Sequence, residues 1–263
     1  MNPILLAVLL VSGIGLLLGV FLVVSGRLFA VKENETAKKI QAVLPGANCG
    51  ACGFSGCAGY ASALAEEKAL KTTLCPVGGS ETAAKIADIL GVKAQEVASY
   101  KARVLCVGHS EARARLADYV GIPSCRAAAS LYNGGSACAY GCLGYGDCVS
   151  VCEKGAISLC RGVAVVDPSL CLGCGLCAKT CPKGVIQMLP EKASAIVPCS
   201  NRDKGAETKK ACTVGCLGCT LCVKACPEEA IRMENGLAVV NVEKCKGCAV
   251  CVSACKFGVI KMV

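Results

Sequence analysis

Residues 171–182 read Cys-Leu-Gly-Cys-Gly-Leu-Cys-Ala-Lys-Thr-Cys-Pro, and this stretch decides the fold. Its cysteines, Cys171, Cys174, Cys177 and Cys181, form a C-x2-C-x2-C-x3-C run closed by Pro182. The run recurs at Cys216, Cys219, Cys222 and Cys226, with Pro227, and again at Cys245, Cys248, Cys251 and Cys255. Thiolates at that spacing converge on one point and hold iron–sulfur clusters. A disulfide framework would not crowd its thiols in this way. A four-cysteine zinc site needs two C-x2-C pairs and leaves no use for a further cysteine in each triplet. With a single histidine, His109, in the chain, haem and mixed Cys/His zinc sites are poor fits too.

Working outward, the chain contains an internal repeat with a period of 74 residues, which aligns Cys152 with Cys226, Cys171 with Cys245 and Cys181 with Cys255. Each half has the form of a bacterial two-cluster ferredoxin unit, in which the fourth cysteine of a run ligates the other cluster. That rule groups Cys216, Cys219 and Cys222 with Cys255, and Cys245, Cys248 and Cys251 with Cys226. In the first half it groups Cys171, Cys174 and Cys177 with Cys152. The alternating stretches Gly162–Val166 and Gly236–Val240 predict strands of small hairpins.

The first run departs from the pattern. It reads CAYGCLGYGDCVSVC over 138–152, and Tyr145 stands where the repeat has Cys219. Cys138 is the natural substitute, giving Cys138, Cys142, Cys148 and Cys181; a three-iron cluster or a shifted register stays open. Cys106, Cys125, Cys160, Cys199 and Cys212 belong to no run. The repeat offset links Cys125 to Cys199 and Cys138 to Cys212. Two readings stand for these thiols: reduced cysteine buried as a small hydrophobe, or a sixth cluster on Cys106, Cys125, Cys199 and Cys212.

Ahead of the repeat, LPGANCGACGFSGCAGY carries Cys49, Cys52 and Cys57, and Cys75-Pro76 follows. Its C-x2-C-x4-C-x17-C spacing differs from the later runs, so it forms a separate one-cluster unit. Helices are predicted over 61–69 and 81–91, and a linker running into an amphipathic helix over 31–44. A structural zinc site is the alternative here.

Ile4–Val24 is a run of 21 residues without a charge, long enough to cross a bilayer as a helix. Arg27, Lys32, Lys38 and Lys39 follow it, which puts the rest of the chain on the cytoplasmic side of a cell (inner) membrane as a single-pass protein. Gly15 and Gly19 form a G-x-x-x-G pair, read either as a helix–helix contact or as ordinary membrane-helix glycine. The expected fold class is α+β. A membrane anchor over 1–26 precedes a one-cluster [4Fe-4S] domain over 27–100. A linker with a first ferredoxin-like unit then fills 101–190, and a second unit fills 191–263.

The formal charge of +9 resembles a nucleic-acid signal. Five [4Fe-4S] groups at about −2 each would offset it, so no nucleic-acid partner is expected. No G-x-G-x-x-G follows a strand and no P-loop is present, so neither a dinucleotide nor a flavin site is evident. No nucleophile or carboxylate pair suggests a catalytic residue. The stretch 202–210, RDKGAETKK, reads as a solvated loop, and His109 as a surface or turn residue.

Three features together resemble one family: the apolar span ending SGRLFAV, the block LPGANCGACGFSGC with Cys75-Pro76-Val77-Gly78-Gly79, and GCLGYGDC within the ferredoxin units. The chain resembles, over essentially its whole length, the B subunit of the Rnf complex, the membrane-bound ferredoxin:NAD oxidoreductase. That resemblance implies a translocase subunit that takes electrons from soluble ferredoxin and passes them to other membrane subunits, coupled to Na+ or H+ movement. The partner subunits would carry the flavins and the NAD site. Two alternatives are a related complex that reduces a redox-sensing transcription factor, and a zinc-stabilised membrane scaffold.

Overall fold

The computed structural model describes residues 3–28, 34–67, 70–95 and 98–263. Helix α1, Pro3–Leu28, follows from the uncharged run at its centre. Its Leu9–Arg27 segment has a mean hydropathy of 2.4 and none of it is buried by the rest of the chain. Side chains such as Val11 and Leu16 therefore lie about 70 % exposed, an arrangement that water disfavours and lipid accommodates.

The first cysteine block sits in a three-helix unit. Helix α2, Glu35–Val43, is capped by Asn34, whose side chain accepts from the backbone N–H of Thr36 and Ala37. The first part of the expected linker, 31–33, lies outside the described residues. Helix α3 is Cys57–Glu66 and α4 is Gly79–Leu90, the latter stopped by Gly91 in the left-handed conformation. Ile40, Tyr60, Leu64, Ile86 and Leu90 close one small core between them.

The repeat becomes two units of one architecture. In the first, β2 (Ile157–Cys160) and β3 (Val163–Val166) form an antiparallel hairpin with Ile157 opposite Val166. In the second, β6 (Ile231–Glu234) and β7 (Leu237–Val240) pair with Ile231 opposite Val240, the same register one repeat later. Both turns have positive φ at two successive residues, Arg161-Gly162 and Asn235-Gly236, as a tight two-residue hairpin requires.

Each unit is closed by a pairing that local periodicity does not reveal. Strand β1, Tyr100–Val104, lies before the first unit and pairs antiparallel with its last strand, β4, Ile186–Pro190. Likewise β5, Ala195–Ile196, pairs with β8, Lys261–Met262. Short helices carry the third cysteine of each run: α6 (Asp147–Ser150), α7 (Leu176–Thr180), α9 (Leu221–Ala225) and α10 (Val250–Ala254). Helix α5, Cys125–Ser130, precedes them. The stretch expected as a loop at 202–210 contains a helix, α8, Gly205–Ala211. Thr208 is fully buried and its hydroxyl donates to the Asp203 carbonyl, so one face of this segment is packed although its lysines are exposed.

Backbone geometry in the runs explains their glycines. Gly173, at φ 72°, lies so close to the Tyr100 carbonyl that an added Cβ would stand 2.3 Å from that oxygen. Gly175, at φ 74°, has only ordinary contact with Met188, and Thr220 and Ala249 hold the same place and conformation in the later runs. Gly175→Ala should therefore cost only about 1 kcal/mol of left-handed strain. Gly173→Ala adds a backbone clash and should cost several-fold more in urea or thermal unfolding. Equal losses would contradict this account.

Candidate metal centres

In the N-terminal unit Asn48 draws Cys49 and Cys57 together: its side-chain oxygen accepts from the Cys57 N–H at 2.9 Å. Tyr60 fixes the distant arm. Its buried hydroxyl donates to the Lys71 carbonyl at 2.7 Å and accepts from the Leu74 N–H at 3.3 Å, which holds the segment leading to Cys75. Burial pushes the Tyr60 phenol up to about 12, so it stays a neutral donor. Cys75 faces Cys57 and Cys52, and its sulfur accepts from the Gly78 N–H at 3.4 Å. Cys49 shares an apolar pocket with Cys152, Cys171, Cys174 and Cys177.

In the ferredoxin-like units the crossing of the fourth cysteine is visible in the packing. Cys177 faces Cys174, Cys171 and Cys152. Cys216, Cys219, Cys222 and Cys255 line one pocket, and Cys226, Cys245, Cys248 and Cys251 line another. Backbone N–H groups point at the sulfurs, Ala102 at Cys171 (3.5 Å) and Ala230 at Cys226 (3.3 Å).

The irregular run differs from expectation. Cys148 faces Cys142, Cys125 and Cys181, so Cys125 rather than Cys138 stands beside this group. The cause is Asp147. Its carboxylate accepts from the Ser124 hydroxyl and from the backbone N–H of Cys125 and Arg126, at 2.9–3.0 Å. The start of α5 is thereby fastened next to Cys148. Tyr145 turns away to pack edge-on against Tyr119, ring centroids 5.4 Å apart.

Cys138 lies in the other irregular set. It lines a pocket with Cys106, Cys199 and Cys212, and its sulfur accepts from the buried Asn201 amide at 3.6 Å. This pocket joins the two units. Cys106 accepts from the Cys142 N–H and Cys199 from the Cys216 N–H, both at 3.4 Å, so the first cysteine of a run in each unit donates into it. The set expected on Cys106, Cys125, Cys199 and Cys212 thus exchanges Cys125 for Cys138. Cys160 ends β2, exposed and apart. His109 reaches Arg161 at 3.2 Å and takes no part.

The donor chemistry fits iron–sulfur groups. All 25 cysteines are free thiols. Burial, then neighbouring thiols, push Cys148 up to about 12, and burial pushes Cys106, Cys177 and Cys222 up to about 11. Without metal these thiols keep their protons at neutral pH, so loading must release them. Zinc would need sulfurs drawn to about 2.3 Å from one ion. Among the described residues no three such side chains converge that tightly.

Removing either irregular cysteine distinguishes the two sets. Cys125→Ser and Asp147→Ala should both disturb the group at Cys142, Cys148 and Cys181, while Cys138→Ser should leave it intact. EPR of the three variants reads the difference, and a Cys138→Ser variant that lost the Cys148 signal would overturn the assignment.

Known proteins match the same cysteine blocks. A family model described as a putative Fe-S cluster matches residues 44–77, a 4Fe-4S binding domain matches 164–187, and a 4Fe-4S dicluster domain matches 208–256. The B subunit of the Na(+)-translocating ferredoxin:NAD(+) oxidoreductase complex of Acetobacterium woodii is 39% identical over 93% of this chain and 73% of its own length. Its proton-translocating counterpart in Clostridium ljungdahlii is 38% identical over 92% of the chain and 85% of its own length. The B subunit of the ion-translocating oxidoreductase complex of Methanosarcina acetivorans is 39% identical, covering 90% of each.

Proposed function

The chain belongs to the family of B subunits of ion-translocating ferredoxin:NAD(+) oxidoreductase complexes, and we propose that it is the membrane-anchored component through which such a complex takes electrons from soluble ferredoxin. It is an iron–sulfur electron-transfer subunit. The single observation that carries the finer reading is that cysteines distant in sequence share pockets: Cys255 with Cys216, Cys219 and Cys222, Cys226 with Cys245, Cys248 and Cys251, and Cys106 and Cys138 with Cys199 and Cys212. When bound, a [4Fe-4S] group at each set supplies reversible one-electron oxidation and reduction.

The residues of this chain do the rest. We assign Cys49, Cys52, Cys57 and Cys75 to one set, and Cys152, Cys171, Cys174 and Cys177 to the next. Cys125, Cys142, Cys148 and Cys181 form a third, and Cys106, Cys138, Cys199 and Cys212 a fourth. Cys216, Cys219, Cys222 and Cys255 form a fifth, and Cys226, Cys245, Cys248 and Cys251 a sixth. N–H donors from Ala102, Cys142, Cys216 and Ala230 orient the sulfurs. Apolar side chains such as Ile157, Val185, Ile231 and Val259 keep water out.

The position of Cys49 beside Cys174 supports an order of delivery. The ferredoxin-like units receive electrons, and the Cys49–Cys75 unit, next in the chain after α1, hands them to membrane subunits on the cytoplasmic side. The arrangement needs no NAD or flavin site on this chain. Purified protein should contain about 24 iron atoms, at four per set, and Cys106→Ser about four fewer. About 20 in the unaltered chain would remove the Cys106 set. In membranes, Cys52→Ser should abolish ferredoxin-dependent reduction of the partner subunits, and wild-type rates would overturn the order.

A further inference from the structure

Among the described residues, Arg113 is the side chain that touches both irregular cysteine sets. Its backbone pairs with Cys212 in an isolated antiparallel bridge. Its aliphatic stem runs over two glycines that leave room for it: a Cβ on Gly108 would stand 3.0 Å from the Arg113 Cγ and 3.1 Å from the Cys212 sulfur. A Cβ on Gly141 would lie 3.5 Å from the Cys138 sulfur and 3.7 Å from the Arg113 Cδ. The stem therefore lies along the Cys106, Cys138, Cys199 and Cys212 pocket, which it also lines. The guanidinium then reaches out of that pocket towards the other set. Nη1 donates to the Cys142 carbonyl, and Nη2 donates to the Gly162 carbonyl at 3.1 Å.

The charge on this group lacks a conventional partner. Its acceptors are two neutral carbonyls, Nε is buried with no acceptor, and among the described residues no carboxylate forms an ion pair with it. A cation placed so is costly unless anions face it. The groups it does face are the sulfurs of Cys106 and Cys212 on one side and of Cys142 on the other. Those sulfurs become anionic when they bind iron.

We propose that Arg113 is a positioning charge shared by two metal groups, raising the reduction potential of both. This rests on the assignment of the cysteines to six sets. Reduction adds one electron, supplied by the external reductant. It takes each thiolate-bound group from about −2 to about −3, with no bond made or broken. A fixed cation between two such groups favours the more negative state of each. It does so where the two repeat units meet, so the group shared between the units and its neighbour in the first unit accept electrons at a potential set by one residue.

The test is a mediated redox titration of the full-length protein, followed by low-temperature EPR, with iron and sulfide measured on each sample. Arg113→Met should retain its iron while two groups become harder to reduce by at least about tenfold, or about 59 mV for one electron. Arg113→Lys, which keeps the charge but not the fork, should stay near the unaltered protein. Should the Met variant lose iron, Arg113→Gln, which keeps a donor for the Cys142 carbonyl, serves the same comparison. A full-iron neutral variant with unchanged potentials would overturn the proposal. So would a Lys variant displaced as far as the Met variant, because that outcome makes the hydrogen bonds, and not the charge, the cause. Failure of the six-set assignment shows separately, as missing iron in the unaltered chain.

Discussion

Every cysteine set proposed for this chain has to be completed by a sulfur that local sequence does not supply. A run of closely spaced cysteines offers at most three thiols to one group, because its backbone turns away before a fourth can converge. The remaining thiol comes from another segment: Cys152 for the Cys171 run, Cys255 for the Cys216 run, Cys226 for the Cys245 run and Cys75 for the Cys49 block. The hairpins, the short helices and the glycine contacts are the means by which those distant sulfurs meet. The apolar cores are thin, built of residues such as Ile157, Val163, Ala238 and Ile260 wrapped around the cysteines themselves. Such cores contribute modestly by area. Ligation and folding must therefore be one event, since the unligated thiols are buried beside one another with raised proton affinity.

What spacing alone can state is the triplet, and the three regular runs were legible for that reason. The crossing followed from the two-cluster ferredoxin form of each half. The hairpins β2–β3 and β6–β7 followed from the alternation in Gly162–Val166 and Gly236–Val240. Legibility stopped where contacts depend on a single long-range polar bond. Nothing in the spacing around Tyr145 separates Cys125 from Cys138 as the substitute ligand. The Asp147 carboxylate fastens the first turn of α5, and with it Cys125, beside Cys148. In retrospect the signal was Ser124-Cys125 at a helix start together with an aspartate next to a ligand. The α8 helix escaped for a related reason: six of the nine residues from 202 to 210 are charged, and one buried threonine gives the segment its packed face.

The Cys106, Cys138, Cys199 and Cys212 pocket differs in kind from the other sets. Cys106 and Cys138 lie ahead of Cys142 in the first unit, and Cys199 and Cys212 lie ahead of Cys216 in the second. Backbone bridges accompany the pocket, with Ala114 donating to Ala211, Thr213 to Ala112, and the Ser200 hydroxyl to the Leu105 carbonyl. The two units are therefore joined by a seam of cysteines and hydrogen bonds in addition to their linker, and Arg113 lies in that seam.

The strand pairings that close each unit have a further consequence. Because β1 meets β4 and β5 meets β8, the chain enters and leaves each unit at neighbouring points on one small sheet. A segment whose two ends lie side by side can be copied in tandem without rethreading what is already there. Gene duplication followed by divergence of the copied cysteines then yields a longer electron carrier in one step. A run that lacks one cysteine, as at Tyr145, becomes tolerable once a neighbouring segment can lend its own.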